Sequence, residues 1–282
     1  MARKRKGRER LNPLSEQTLQ RIDEAWDALE KGDVEIAGEE AEKLMEETEG
    51  HPEVCFLLGA ALLESGFPGE ALEQLESSDG KVDSPNVHSF YLASTMLELA
   101  RFEEAERHFR QVLEAEKDKA PVYYGLAQTL EHLGRYTEAE TFYESAYRDD
   151  GACYPLPTRM QRDAFERVVN DARELLPPEL LAHLKEVPII VQDLPERDVL
   201  KDEESEAITP SVLGLFVGRS MREQSVFNPP DLPPTIFIYQ RNLERVCQTR
   251  DELVHEINLT LYHELGHYIG LEEEDLEARG LE

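Results

Sequence analysis

Tyr262-His263-Glu264-Leu265-Gly266-His267-Tyr268-Ile269-Gly270-Leu271-Glu272-Glu273 is the stretch on which the reading of the C-terminal half turns. Residues four apart on a helix stand one turn apart on the same face, so the rings of His263 and His267 can reach a single ion while Glu264 turns toward its open side. A catalytic Zn2+ takes three protein ligands and keeps a water whose pKa falls to about 7, and a nearby carboxylate takes the proton as that water attacks a carbonyl. His263 and His267 are therefore the expected metal ligands and Glu264 the expected general base. Gly270 can enter the left-handed conformation, end the helix and let the chain turn back under the metal. The acidic run Glu272-Glu273-Glu274-Asp275 follows at once, and Glu273, Glu274 and Asp275 are the candidates for the third ligand.

The sequence before the motif supplies a helix to carry it. Thr249 followed by Glu252 makes a capping box, and Val254, Ile257, Leu261 and Leu265 form an apolar stripe, which predicts a helix from Arg250 to Ile269. Gly266 inside that helix costs about 1 kcal/mol against alanine, which points either to a close-passing backbone or to a neutral surface position. His255 lies two turns before His263, too far along a helix to share its ion, and is expected to be structural or exposed.

The run Thr235-Ile236-Phe237-Ile238-Tyr239-Gln240-Arg241, then Leu243-Glu244-Arg245, Thr249 to Leu253, and His263 to Leu276 resembles the minimal zincin-like metallopeptidase family of small bacterial proteins. The likeness extends upstream through Phe165-Glu166, Leu175-Leu176-Pro177, Val187 to Val191 and Leu213 to Gly218, so it covers about Met160 to the end. It implies a small α+β fold and a zinc peptidase activity. The zincin pattern HExxHxxGxx places the third ligand at Glu273, where the family has an aspartate and this chain a residue one methylene longer.

The N-terminal half repeats itself. Ala37, Ala71, Ala105 and Ala139 recur every 34 residues; Ala25, Gly59, Ala93 and Ala127 are all small; Gly32, Gly66, Ala100 and Gly134 fall where a turn is due. Val34, Pro68, Phe102 and Tyr136 then begin the second helix of each pair, and Ala41, Leu75, Phe109 and Tyr143 lie deeper in it. Small residues are needed where two antiparallel helices cross closely, and each unit buries its apolar face only by stacking on the next. This pattern resembles the tetratricopeptide family. The first unit is degenerate, with Glu24 in the column of Leu58, Leu92 and Leu126, as an end-capping repeat would be. Such arrays carry a concave groove, and Phe56, Phe90 and Tyr124, again 34 apart, are candidate groove aromatics for a bound peptide or helix, with packing inside the array as the competing role.

The remainder sets limits. A net charge of −30 on 282 residues repels phosphate backbones and anionic membranes, so neither nucleic acid nor a membrane is an expected partner, and any partner steered by charge should be basic. The basic opening Arg3-Lys4-Arg5-Lys6 is followed by no apolar h-region and reads as a disordered tail over residues 1–14, which together with the lack of a membrane-length apolar run gives a cytoplasmic expectation. Cys55, Cys153 and Cys247 are odd in number and scattered, as reduced thiols are. Asp149 to Pro157 breaks the helical pattern between a repeat domain over 15–150 and a zincin-like domain over 158–282. In the latter, Met160 to Leu176 reads as a helix stopped by Pro177-Pro178, Val187 to Val191 as a buried strand, Asp202 to Glu206 as a solvated acidic loop, and Pro229 to Pro234 as a rigid lead into the strand Thr235 to Tyr239. That last strand is the candidate to pair with an extended substrate.

The expected architecture is thus multi-domain: an all-α tetratricopeptide solenoid followed by a small α+β zincin-like domain. The expected function is a zinc-dependent peptidase acting on a peptide or protein, with a possible partner in the repeat groove. The competing expectation is a non-catalytic scaffold whose zinc site is structural or silent.

Overall fold

The computed structural model describes residues 13–115, 120–175, 187–200, 208–218, 233–271 and 275. The tail up to residue 12, Leu176 to Pro178, the acidic run Asp202 to Glu206, Pro229 to Leu232, Glu273 and Glu274 lie outside the described residues. The chain divides into two compact units, Met1–Leu133 and Gly134–Glu282.

In the first unit the helices are α1 (Glu16–Glu30), α2 (Val34–Thr48), α3 (Pro52–Glu64), α4 (Pro68–Ser78), α5 (Pro85–Glu98), α6 (Phe102–Ala115) and α7 (Ala120–His132). The second helices of the repeats begin at Val34, Pro68 and Phe102, the positions the 34-residue step marks out. Each turn needs one left-handed residue. Gly32 and Gly66 supply it at φ 84° and 83°, whereas the third repeat forces Ala100 to φ 54° at a cost of about 1 kcal/mol. The small column lies where helices touch: Ala25, Ala93 and Ala127 are at most 3% exposed, and a Cβ on Gly59 would stand 2.8 Å from Leu75 Cγ. Glu24, by contrast, is exposed, as the outer face of a first repeat must be. The three cysteines are unpaired.

The second unit opens with α8 (Tyr136–Asp150), which by sequence is the second helix of the fourth repeat. There follow α9 (Arg162–Glu174), β1 (Ile189–Gln192), a single turn α10 (Arg197–Leu200), β2 (Gly214–Val217), β3 (Thr235–Tyr239), α11 (Gln240–Val246) and α12 (Arg250–Ile269). The strands pair in the order β1-β3-β2, β1 parallel to β3 with Ile189 opposite Ile236, and β2 antiparallel to it with Gly214 opposite Ile238. One face of the sheet is closed by α9 and α12 over a core of Phe165, Val169, Ile236, Ile238, Ile257, Leu261 and Leu265.

Three expectations are corrected by this arrangement. The strand Thr235–Tyr239 lies at the centre of the sheet and is bonded on both sides, so it offers no edge to a substrate; the edge beside α12 belongs to β2. The run Val187–Val191 is not a fully buried strand: pairing starts at Ile189, and Ile190 is 40% exposed because its side chain alternates onto the face opposite the core that Ile189 and Val191 pack against. The apolar stripe of α12 runs through Leu253 rather than Val254, which is half-buried, because Leu253 continues the four-residue step of Ile257, Leu261 and Leu265.

Candidate metal centre

Helix α12 positions the candidate site, and its ends are fixed by local chemistry. Thr249 accepts a hydrogen bond from the Glu252 amide while the Glu252 carboxylate accepts from the Thr249 amide, and Gly270 closes the far end at φ 83°, ψ 34°. Between them the helix runs unbroken for 20 residues, which holds His263 and His267 one turn apart near its last turns. Their Nε2 atoms converge to 2.9 Å, with the rings edge to face at 77°. Two nitrogens bound at about 2.0 Å to a tetrahedral zinc stand about 3.3 Å apart, so a small rotation of either ring lets this pair take one. The two imidazoles fit the ion. Among the described residues no cluster of three His, Cys, Asp or Glu side chains forms; of the candidate third ligands, Glu273 and Glu274 lie outside the described residues and Asp275 is exposed.

Glu264 is placed differently from the histidines it separates. Its side chain is turned under β2 and is 7% exposed, whereas both histidines are half-buried. The close approach depends on Gly214, where a Cβ would lie 2.7 Å from Thr260 Cγ2, 2.9 Å from Glu264 Cγ and 3.0 Å from Glu264 Oε1. A glycine is therefore required where the edge strand crosses the helix. Gly214→Val is expected to cost about 1–3 kcal/mol through overpacking, measured as a lowered denaturation midpoint of the second unit. Tyr239 joins the site from the end of β3. Burial, and then the negative charge of Glu264, push its hydroxyl well above the usual tyrosine range, so at neutral pH it stays protonated.

The segment leading into β2 is pinned from the opposite side. Asn242, fully buried, donates its amide to the carbonyls of Pro210 at 2.9 Å and Val212 at 2.6 Å, and accepts from Arg245 Nη2 at 2.8 Å. The Tyr239 amide donates to the Leu213 carbonyl at 2.9 Å. These bonds hold Val212 and Leu213 against the face of α12, where with Gly214, Glu256, Thr260, His263 and Glu264 they enclose a pocket of about 180 Å³.

The remaining sequence candidates are placed as follows. His255 is exposed, away from the histidine pair. Phe56 is 2% exposed and packs at 4.9 Å from Trp26 and 5.9 Å from Tyr91, so it lies inside the array. Phe90 and Tyr124 are half-buried, Phe90 at 5.5 Å from Tyr91 and 6.1 Å from Phe109. Sequence reading passed over Gly214, Asn242, Thr260 and Glu256 as members of the site. Only Glu256 and Thr260 carried a signal, since they stand at four-residue steps before Glu264 on the helix already recognised.

Comparison with known proteins agrees with both halves. The family described as zincin-like metallopeptidase matches residues 184–281, and the family described as tetratricopeptide repeat matches residues 92–152. No curated protein matches the chain. Among solved structures, a crystal structure of MamA is 19% identical with a TM-score of 0.38, covering 45% of this chain and 74% of that one. A crystal structure of PilW, described as a widely conserved type IV pilus biogenesis factor, is 13% identical with a TM-score of 0.33, covering 61% of this chain and 94% of that one. Helix pairs at a 34-residue step, followed by a three-stranded sheet under an HExxH helix, thus have the same reading in geometry and in sequence family: the chain carries tetratricopeptide repeats and, at residues 184–281, a zincin-like metallopeptidase domain.

Proposed function

We propose that this protein is a zinc-dependent peptidase whose repeat array holds a protein partner or substrate. The observation that carries the reading is the convergence of His263 and His267 on one point at 2.9 Å, with a buried carboxylate, Glu264, from the same helix beside it. His263 and His267 would hold the ion, with Glu273, or in its place Glu274 or Asp275, as third ligand. Zinc, when bound, supplies the positive charge that polarises a scissile carbonyl and acidifies water. Glu264 takes the proton of the attacking water and passes it to the leaving amine; its burial under β2 keeps it oriented. Among the described strands β2 lies at the edge of the sheet, where an extended peptide would find main-chain partners alongside the helix, as an added strand does. The repeat half supplies stacked helix pairs of the kind that form extended protein-binding surfaces.

The test is the metal content of the purified full-length protein together with its action on a broad peptide library. About one zinc per chain and cleavage of a subset of peptides are expected, with both lost in His263→Ala. Bound zinc without cleavage of any peptide would leave the scaffold reading standing in place of this one.

A further inference from the structure

The pocket between β2 and α12 has a composition that polarises it. At one end lie His263 and Glu264; along one side run Val212 and Leu213; and at the other end stands Glu256. Glu256 is half-buried, and among the described residues no cation pairs with it. Seven residues of helix separate Glu256 from His263, about 11 Å along the axis, so the carboxylate lies about two turns from the histidine pair. The volume of about 180 Å³ equals about six water molecules at about 30 Å³ each, room for one side chain. A short side chain rooted beside the histidines would leave Glu256 unreached. An apolar one would fill the walls but would desolvate the carboxylate without a partner, which is unfavourable.

We propose that this pocket binds a lysine or arginine side chain of a peptide, with its aliphatic stem against Val212 and Leu213 and its charged head at Glu256. The proposal deepens the peptidase reading and rests on it for how the peptide lies along β2, but the binding it predicts is read independently of cleavage. The chemistry matches on both counts, since lysine and arginine carry apolar stems ending in a strongly solvated charge. A chain of net charge −30 also raises the local concentration of basic peptides by steering them. Val212 is held at the pocket wall by the Asn242 amide, so the cleft is a preformed feature of the fold.

The test uses zinc-loaded full-length protein and a set of blocked peptides that differ at a single scanned position, carrying lysine, norleucine or glutamate there. Affinity is read by fluorescence anisotropy and cleavage by mass spectrometry. At one position the lysine peptide is expected to bind about tenfold or more tighter than the norleucine peptide. Glu256→Gln should bring the two together, and Glu256→Arg should reverse the order in favour of glutamate. These ratios compare peptides on one protein sample, so a partly unfolded variant does not imitate them. Equal affinity of lysine and norleucine peptides at every position, or a preference that survives in Glu256→Gln, overturns the proposal. Cleavage without any lysine preference overturns the pocket and spares the peptidase, whereas lysine-dependent binding without cleavage supports the pocket and removes the peptidase.

Discussion

Glu264→Gln is expected to lower peptide hydrolysis by about 10²–10⁴-fold while leaving zinc content unchanged. The amide keeps the shape of the side chain and its place under β2, but it cannot accept a proton at neutral pH. His263 and His267 are untouched, so the proposed ligand pair for the ion is retained. The paired measurement is turnover of a cleaved library peptide and metal content of the same sample. Because Glu264 is 7% exposed, water cannot readily replace it as the base, which is why the loss should be near the upper part of the range. A variant that cleaves as well as the wild type would remove Glu264 from the chemistry.

The second large effect is on stability. Glu244 is 2% exposed, yet its carboxylate is fully engaged: Oε2 accepts from Arg159 Nη1 at 3.0 Å, and Oε1 accepts from the Met160 amide at 2.9 Å and from Gln240 Nε2 at 2.7 Å. Its main chain is tied as well, with the Thr158 amide donating to the Glu244 carbonyl at 2.7 Å. Glu244→Ala leaves the Met160 amide and one hydrogen of Gln240 Nε2 without their acceptor, while Arg159, 27% exposed, keeps Glu140, a loss of about 1–3 kcal/mol. Equilibrium denaturation of the full-length protein should show the transition of the second unit shifted by this amount. The first unit, which does not contain this network, should unfold as before. Glu244→Gln, which retains an acceptor oxygen and the volume, should cost less.

Legibility of the sequence differed between features for physical reasons. The ends of α12 were readable to the residue because Thr249, Glu252 and Gly270 act within a few positions of themselves. The second-helix starts at Val34, Pro68 and Phe102 were readable because stacking demands the same small and large residues every 34 positions. The sheet was not. Gly214–Val217 is four residues long without an alternating pattern, and it pairs with Thr235–Tyr239 from well along the chain, so neither its existence nor its edge position is encoded locally. Gly214 looks like any glycine until the helix beneath it is seen. Asn242 and Glu244 sit in a stretch, Gln240-Arg241-Asn242-Leu243-Glu244-Arg245, whose polar residues would ordinarily face solvent. Their burial follows from partners at Thr158 to Met160 and Pro210 to Val212, distant in sequence and invisible to any window. The histidine pair needed no such context, since four-residue spacing alone brings the two rings together.

The place of α8 bears on how the protein is dissected at the bench. Arg159 leans on Glu140 through a 2.8 Å ion pair, and the Arg241 guanidinium lies 3.8 Å over the Tyr136 ring, so a helix spelled as repeat sequence is physically a buttress of the zincin-like half. An excised fragment starting at Thr158 would strip both supports, leaving Arg159 with Glu244 as its acidic partner and Arg241 without its ring. A cut placed ahead of Gly134 keeps them, and leaves a shortened solenoid as the other product.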